Sequence, residues 1–420
     1  MRDMAEKEIW PGLNAPGEAE RLRAAQAAAR APAPARTRFT NNHIHTIYSF
    51  SPYSPTAAVW KAVRAGLCTA GLMDHDTIGG AREFLAAGRL FALPVTVGLE
   101  CRANMAGTPF GGRRTNNPDQ TGVSYVALHG VPHNCFDAVA AFMAPYAAAR
   151  ERRNRDMVPR LNALLPEALR LDYDREIRPL SQADAGGSVT ERHILYALSR
   201  KILEDKDPVG VVERALRLPL GAAQRDALAD ARQPYRDYDL LGVLKASLVE
   251  RFYLPAGEEC PPVETLAAFC RTHRIVLAYP YLGDVRGSAT GDKKDQNFED
   301  EYLDELMAAL PSLGFAAVTY MPSRNTARQL ARVQALCRQH GLFEISGEDI
   351  NQPRQGFVCE KLADPAFAHL YEAAWALIGH EARTTEGLDD GLLAADTGDL
   401  DRRVAALSAH ARALFDKTTA

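Results

Sequence analysis

The stretch Asn42-His43-Ile44-His45-Thr46 decides how this chain is read. In an extended strand residues i and i+2 share a face, so His43 and His45 point the same way. Two imidazoles on one rigid strand end suit a divalent ion such as zinc, manganese or iron. Alone, a His-x-His pair is also met on ordinary surface strands, so the reading turns on what recurs further along.

Working outward, one grammar repeats: a short apolar strand, a residue of useful chemistry, then a helix. A strand at 39–45 precedes a helix at 55–65. A strand at 67–73 runs into Asp74-His75-Asp76-Thr77, and Gly79-Gly80 leads into a helix at 81–88. A strand at 94–99 ends at Glu100, and one at 123–128 ends at His129. Further strands fall at 275–278 before Tyr279-Pro280, at 316–320, and at 343–346 before Gly347-Glu348-Asp349. Strands alternating with helices imply an α/β fold with a parallel sheet. Useful residues at so many C-terminal strand ends favour a barrel, which gathers all those ends at one mouth. An open sheet would gather them only near a switch point.

Other segments break this grammar. Residues 1–38 form an N-terminal extension with a helix at 18–30, stopped by Ala31-Pro32-Ala33-Pro34, which packs outside the barrel or against a second subunit. The barrel takes 39–135 and 261–360. Residues 136–260 read as a helical insertion over the mouth, with helices at 136–165, 190–201 (Thr190 as N-cap), 211–216 and 240–249. Arg150, Arg152, Arg153 and Arg155 fall on or near the exposed side of the first of these. The stretches 104–122 and 283–299 are further excursions at the mouth. Residues 361–420 carry two helices, 365–378 and 400–415, that close or pad the barrel.

Composition bounds the partners. The 420 residues are 46% hydrophobic and 24% charged with a net charge of -4, ordinary for a globular protein. No basic stripe tracks a nucleic-acid backbone. Seven scattered cysteines without a CxxC pair suit reduced thiols, and a cytoplasmic location is expected. No apolar run approaches the roughly 20 residues that span a bilayer, so no membrane partner is expected. The charged N-terminus offers no apolar signal core.

The residues collected from strand ends are His43, His45, Asp74, His75, Asp76, Glu100, His129, Asp349 and Asn351, with His193 added from the insertion. All but Asn351 are common ligands of divalent metals. His273, His340, His369, His380 and His410 read as surface or helix-end residues.

These motifs together resemble the PHP (polymerase and histidinol phosphatase) family over about residues 40–357, above all its small-molecule phosphoesterase branch. The likeness rests on His43-x-His45-Thr46, Asp74-His75-Asp76-Thr77, Glu100, His129, Arg192-His193 and Gly347-x-Asp349. It implies a distorted (β/α)7 TIM-like barrel with up to three divalent metals (zinc, manganese or iron) at the mouth. A first ion would be held by His43, His45, Glu100 and Asp349. A second would draw on His75 and on positions occupied here by Phe50 and Asn351. A third would draw on Glu100, His129 and the position of Tyr279. Because Phe cannot ligate and Asn ligates poorly, one firm site is expected, with the other two weakened.

The function so implied is a metal-dependent hydrolase, most simply a phosphoesterase cleaving a small phosphorylated metabolite or nucleotide with a metal-activated water. His129 or His193 would act as acid or phosphate clamp, Tyr279 as hydrogen-bond donor, and Arg354 as a bidentate phosphate partner. The alternative is a degenerate domain that binds metal or ligand without turnover.

Overall fold

The structure is a computed structural model and describes residues 2–284, 298–394 and 399–419. Most of the 283–299 excursion therefore lies outside the described residues. Seven strands form one sheet in sequence order: β1 Thr40–Ile44, β2 Thr69–His75, β3 Val95–Asn104, β4 Val123–His129, β5 Val276–Tyr281, β6 Ala317–Tyr320 and β7 Phe343–Ser346. The sheet curls round until the two ends meet. His45 N donates to Ile350 O at 2.9 Å and Ile350 N to His43 O at 3.1 Å, so the chain just past β7 pairs with β1. Gly347 permits this contact, because a Cβ there would lie 2.6 Å from the Cβ of His43. The result is a nearly closed, distorted barrel.

The sheet is not wholly parallel. β4 runs antiparallel to both β3 and β5. The reason lies in its connection: residues 105–122 form a looped excursion without a crossover helix, and a parallel return needs such a crossover. This corrects the all-parallel expectation and turns the C-terminal end of β4 toward the floor of the barrel.

The helices that follow in the chain are α1 Arg2–Leu13, α2 Glu18–Ala28, α3 Pro55–Arg64, α4 Ala81–Leu90, α5 Phe136–Asn162, α6 Glu191–Leu203, α7 Ala222–Ala229, α8 Arg236–Phe252, α9 Val263–Thr272, α10 Leu303–Ala309, α11 Ala327–His340, α12 Ala368–Thr385 and α13 Leu400–Thr419. Strand parity separates two apolar layers. Leu277, Tyr279, Tyr281, Val318 and Tyr320 pack outward with Phe84, Leu266, Leu306 and Val333 of the surrounding helices. Their alternates Val276, Ala278 and Ala317 join Met73, Ala127, Phe343 and Ile345 in the barrel interior, where Ala376 and Leu377 of α12 plug the floor.

A separate apolar cluster belongs to the segment between β4 and β5, uniting Met157, Leu161, Leu195, Leu198, Leu244 and Phe252. Its helix α5 buries Arg150 and Arg153 and exposes Arg152 and Arg155, so the basic run is split between two faces and does not lie wholly outward. At the N-terminus, buried Arg21 on α2 reaches Glu83 on α4 through Nε at 2.8 Å, and Glu83 also accepts from Thr56 Oγ1 at 2.7 Å. That ion pair fastens α2 to the outer helices. Among the described residues no helix is long and apolar enough to cross a membrane.

Candidate metal centre at the barrel mouth

Four side chains converge where β1, β3 and the end of β7 meet. His43 Nε2 lies 3.6 Å from Glu100 Oε2, and His45 Nε2 lies 3.8 Å from Glu100 Oε1 and 3.1 Å from Asp349 Oδ1. Ligands bound tetrahedrally at about 2.1 Å sit about 3.4 Å apart, so this spacing suits one shared ion. The ligand atoms of His43, His45 and Glu100 all fall within 4.8 Å of one another. His43 and His45 are buried, and neither Nε2 has a hydrogen-bond partner among the described residues. An orphaned buried imidazole nitrogen is costly unless something binds it. The donor set therefore fits a divalent cation.

Neighbouring groups hold the imidazoles in register. Asp74, fully buried, accepts from Thr46 N at 2.6 Å, Thr46 Oγ1 at 2.6 Å and Ser49 Oγ at 2.7 Å. Ser49 Oγ in turn faces His45 Nδ1 at 3.4 Å. Because Ser49 gives its proton to Asp74, it accepts from Nδ1–H, which leaves the lone pair of His45 on Nε2. Asp74 is thus a support of the cage.

His75, at the end of β2, puts Nδ1 3.0 Å from Glu100 Oε1. Glu100 thereby touches three histidines and can bridge two ions. Burial pushes the Glu100 carboxyl up, but His75, His43 and His45 outweigh it and hold it at about 2. Burial keeps His75 neutral, down to about 3. For His43 burial works against charge, yet the Glu100 and Asp349 carboxylates raise it overall. Burial would likewise raise Asp349, but its contact with His45 holds it well below the usual carboxylate range.

The remaining predicted residues have different surroundings. Asn351 Nδ2 donates to Asp349 Oδ1 at 2.5 Å and so orients a ligand. His129 lies inward on the reversed strand β4, two residues past Ala127, which pairs with Glu100, and both His43 and Glu100 bear on its ring. Its Nε2 is buried without a hydrogen-bond partner among the described residues, and burial holds it neutral at about 3. Tyr279 faces outward, donating to Glu299 Oε2 at 2.6 Å and accepting from Asn116 N at 3.0 Å. The structure does not bring it to the cage, because strand parity gives the inward positions of β5 to Ala278 and Val276. Arg354 forms a two-pronged ion pair with Asp239 at 2.7 and 2.8 Å, half exposed on the insertion. Phe50 packs edge-on against His193 at 5.0 Å and Tyr196 at 5.6 Å, joining the insertion's core.

His193 sits in the first turn of α6, which is tied to the mouth by Ser188 Oγ donating to His75 O at 2.7 Å. Its Nδ1 accepts from Thr190 N at 3.0 Å, so Nε2 carries the proton. Burial, reinforced by Arg150, keeps this ring neutral at about 3.

Sequence reasoning missed a tier of arginines above the cage. Arg102 follows Glu100 by two on β3 and so faces the same way. It donates to Tyr253 OH at 2.8 Å, Arg153 Nε meets Glu259 Oε1 at 2.5 Å, and Arg150 holds both Asp76 and, at 3.1 Å, Glu191. Asp76 adopts a left-handed backbone (φ 58°), which turns its carboxylate to Arg150. The i, i+3 spacing of Arg150 and Arg153 was the available signal. Arg192 makes no hydrogen bond or ion pair among the described residues, yet its charge bears on His75, His193 and Asp349.

No family model and no curated protein matches this chain in sequence. Solved structures do match in fold. A candidate metal-dependent phosphoesterase from Bifidobacterium adolescentis aligns with TM-score 0.51 at 18% identity, over 79% of this chain and 96% of that one. An amidohydrolase from Chromobacterium violaceum, determined with sulfate and without metal, aligns with TM-score 0.50 at 15% identity, over 80% and 96%.

Proposed function

We propose that this protein is a metal-dependent phosphoesterase acting on a small phosphorylated compound. The observation that carries the reading is the convergence of His43, His45, Glu100 and Asp349 with two buried, unpartnered imidazole nitrogens. These four would hold one divalent ion, and His75 with Glu100 offers part of a second position. The ion supplies Lewis acidity, polarising a phosphoryl oxygen and easing deprotonation of water.

The chain's own residues do the rest. Asp74, through Ser49, fixes the tautomer of His45. Neutral His193 presents an Nε2–H donor suited to a phosphoryl or leaving-group oxygen. Arg192 adds positive charge beside the cage, bearing on Asp349 without an ion pair among the described residues, which favours an anionic substrate over a neutral amide.

The test uses protein stripped by chelation and reloaded with manganese or zinc. Phosphate release from a panel of nucleotide and sugar phosphates is expected, and His43→Ala should abolish it with the circular dichroism unchanged. Full turnover in that variant would remove His43 from the centre. Phe50 and Asn351 favour a second reading, because each stands where the PHP likeness places a ligand. That reading, metal binding without turnover, requires metal uptake with no release from any phosphoester or amide.

A further inference from the structure

Arg324 lies in the loop after β6, beside the end of β7 that carries Asp349. The loop is firmly held. Ser323 Oγ donates to Glu348 Oε2 at 2.5 Å, Asn325 Nδ2 to Leu282 O at 2.8 Å, and Lys361 Nζ to Asn325 O at 3.2 Å. Among the described residues the Arg324 side chain spends only Nε, on Leu282 O at 3.1 Å. Its Nη2 is buried and has no partner among the described residues.

Two acids bear on this guanidinium, Glu299 and Asp349. Glu299 is already engaged by Tyr279 OH at 2.6 Å and Leu282 N at 2.8 Å, and by Gly283 N. Asp349 faces His45 and belongs to the proposed cage, so its charge would be taken up by the ion. With the cage filled, Arg324 is a partly buried cation whose Nη2 has no partner among the described residues, and the other acid that bears on it, Glu299, is engaged elsewhere. Burying such a group is costly unless an anion completes it. Burial indeed holds Arg324 below its usual value despite both acids.

We propose that Arg324 is a specificity residue of the mouth, binding an oxygen of the substrate's phosphoryl group on the side of the mouth that carries Asp349. The inference rests on the phosphoester reading and deepens it. A guanidinium recognises phosphate through charge-assisted hydrogen bonds that an ammonium or amide reproduces only in part.

The experiment compares manganese-loaded wild type with Arg324→Gln and Arg324→Lys. Inorganic phosphate binding is followed by calorimetry, KM by phosphate release, and metal content by elemental analysis. Arg324→Gln should weaken phosphate and raise KM by about ten- to a hundredfold, with metal content unchanged and Arg324→Lys between the two. Unchanged phosphate affinity and KM would overturn the proposal while leaving phosphoester turnover intact. Loss of metal from Arg324→Gln would also overturn it, since the residue would then merely support Asp349. Arginine-dependent phosphate binding without turnover of any phosphoester would uphold it and remove the catalytic reading instead. Should the variants fail to fold, crystals of metal-loaded wild type soaked in phosphate decide the matter. A phosphate oxygen within hydrogen-bond distance of Arg324 upholds the proposal, and a phosphate seated away from it refutes it.

Discussion

At the floor of the barrel, His380 on α12 is fully buried and both its ring nitrogens have protein partners. Nε2 donates to Arg274 O at 2.8 Å and Nδ1 accepts from Leu392 N at 3.1 Å. At the mouth, His43 and His45 are also buried, yet neither Nε2 has a hydrogen-bond partner among the described residues, and both face carboxylate oxygens. The same side chain, buried in both places, is thus completed by the protein at one end and left without a hydrogen-bond partner among the described residues at the other. A closed hydrogen-bond account is that of a structural histidine, whereas two open nitrogens beside Glu100 and Asp349 are what a ligand position would show.

The contrast can be broken experimentally. His45→Ala should cost catalysis about a thousandfold or more, because it removes an ion worth several kcal/mol at the transition state. Metal content should fall in parallel while the folded signal persists. Near-normal turnover would erase the distinction between the two ends. His380→Ala should do the reverse: about 2 kcal/mol of stability lost, from a cavity and two unpaired backbone groups, read as a lower urea midpoint with metal content unchanged.

pH sharpens the comparison further. Burial holds His380 neutral down to about 4 and His193 down to about 3, against an ordinary value of 6.5. Below 6.5 the unfolded chain takes up protons that the native chain refuses, so stability should fall as pH drops from 6.5 toward 3. These two rings contribute nothing above 6.5. Urea midpoints of metal-free protein across that range check the sign, and a midpoint that rises on acidification would contradict it. The smallest effect belongs to Arg354→Ala. Its ion pair with Asp239 is half exposed, so less than about 1 kcal/mol and no change in kcat are expected. A large loss of kcat would instead return Arg354 to the phosphate.

The barrel was legible because strand ends carry its signature in short, regular intervals. The convergence of His43, His45, Glu100 and Asp349 was legible for the same reason, since all four stand at or just past the strand ends read from the sequence. What escaped depended on direction and parity. β4 reads as one more strand, and only the missing crossover helix in 105–122 hints that it turns back, pointing its C-terminal end at the floor. Tyr279 precedes Pro280 as expected, but its side chain is assigned to the outer face by its neighbours Leu277 and Tyr281. His380 looked like a helix-end residue because nothing local reveals that α12 plugs the floor. Phe50 is decided by the aromatic neighbours His193 and Tyr196, nearly 150 residues away along the chain.

Metal content tests the central claim most directly. Chelated protein is dialysed against manganese, zinc or iron, and bound metal is counted beside His45→Ala and His380→Ala. The expected result is at least one tightly held ion per chain in wild type and in His380→Ala, and none in folded His45→Ala. Wild type that stays folded and retains none of the three metals would contradict it.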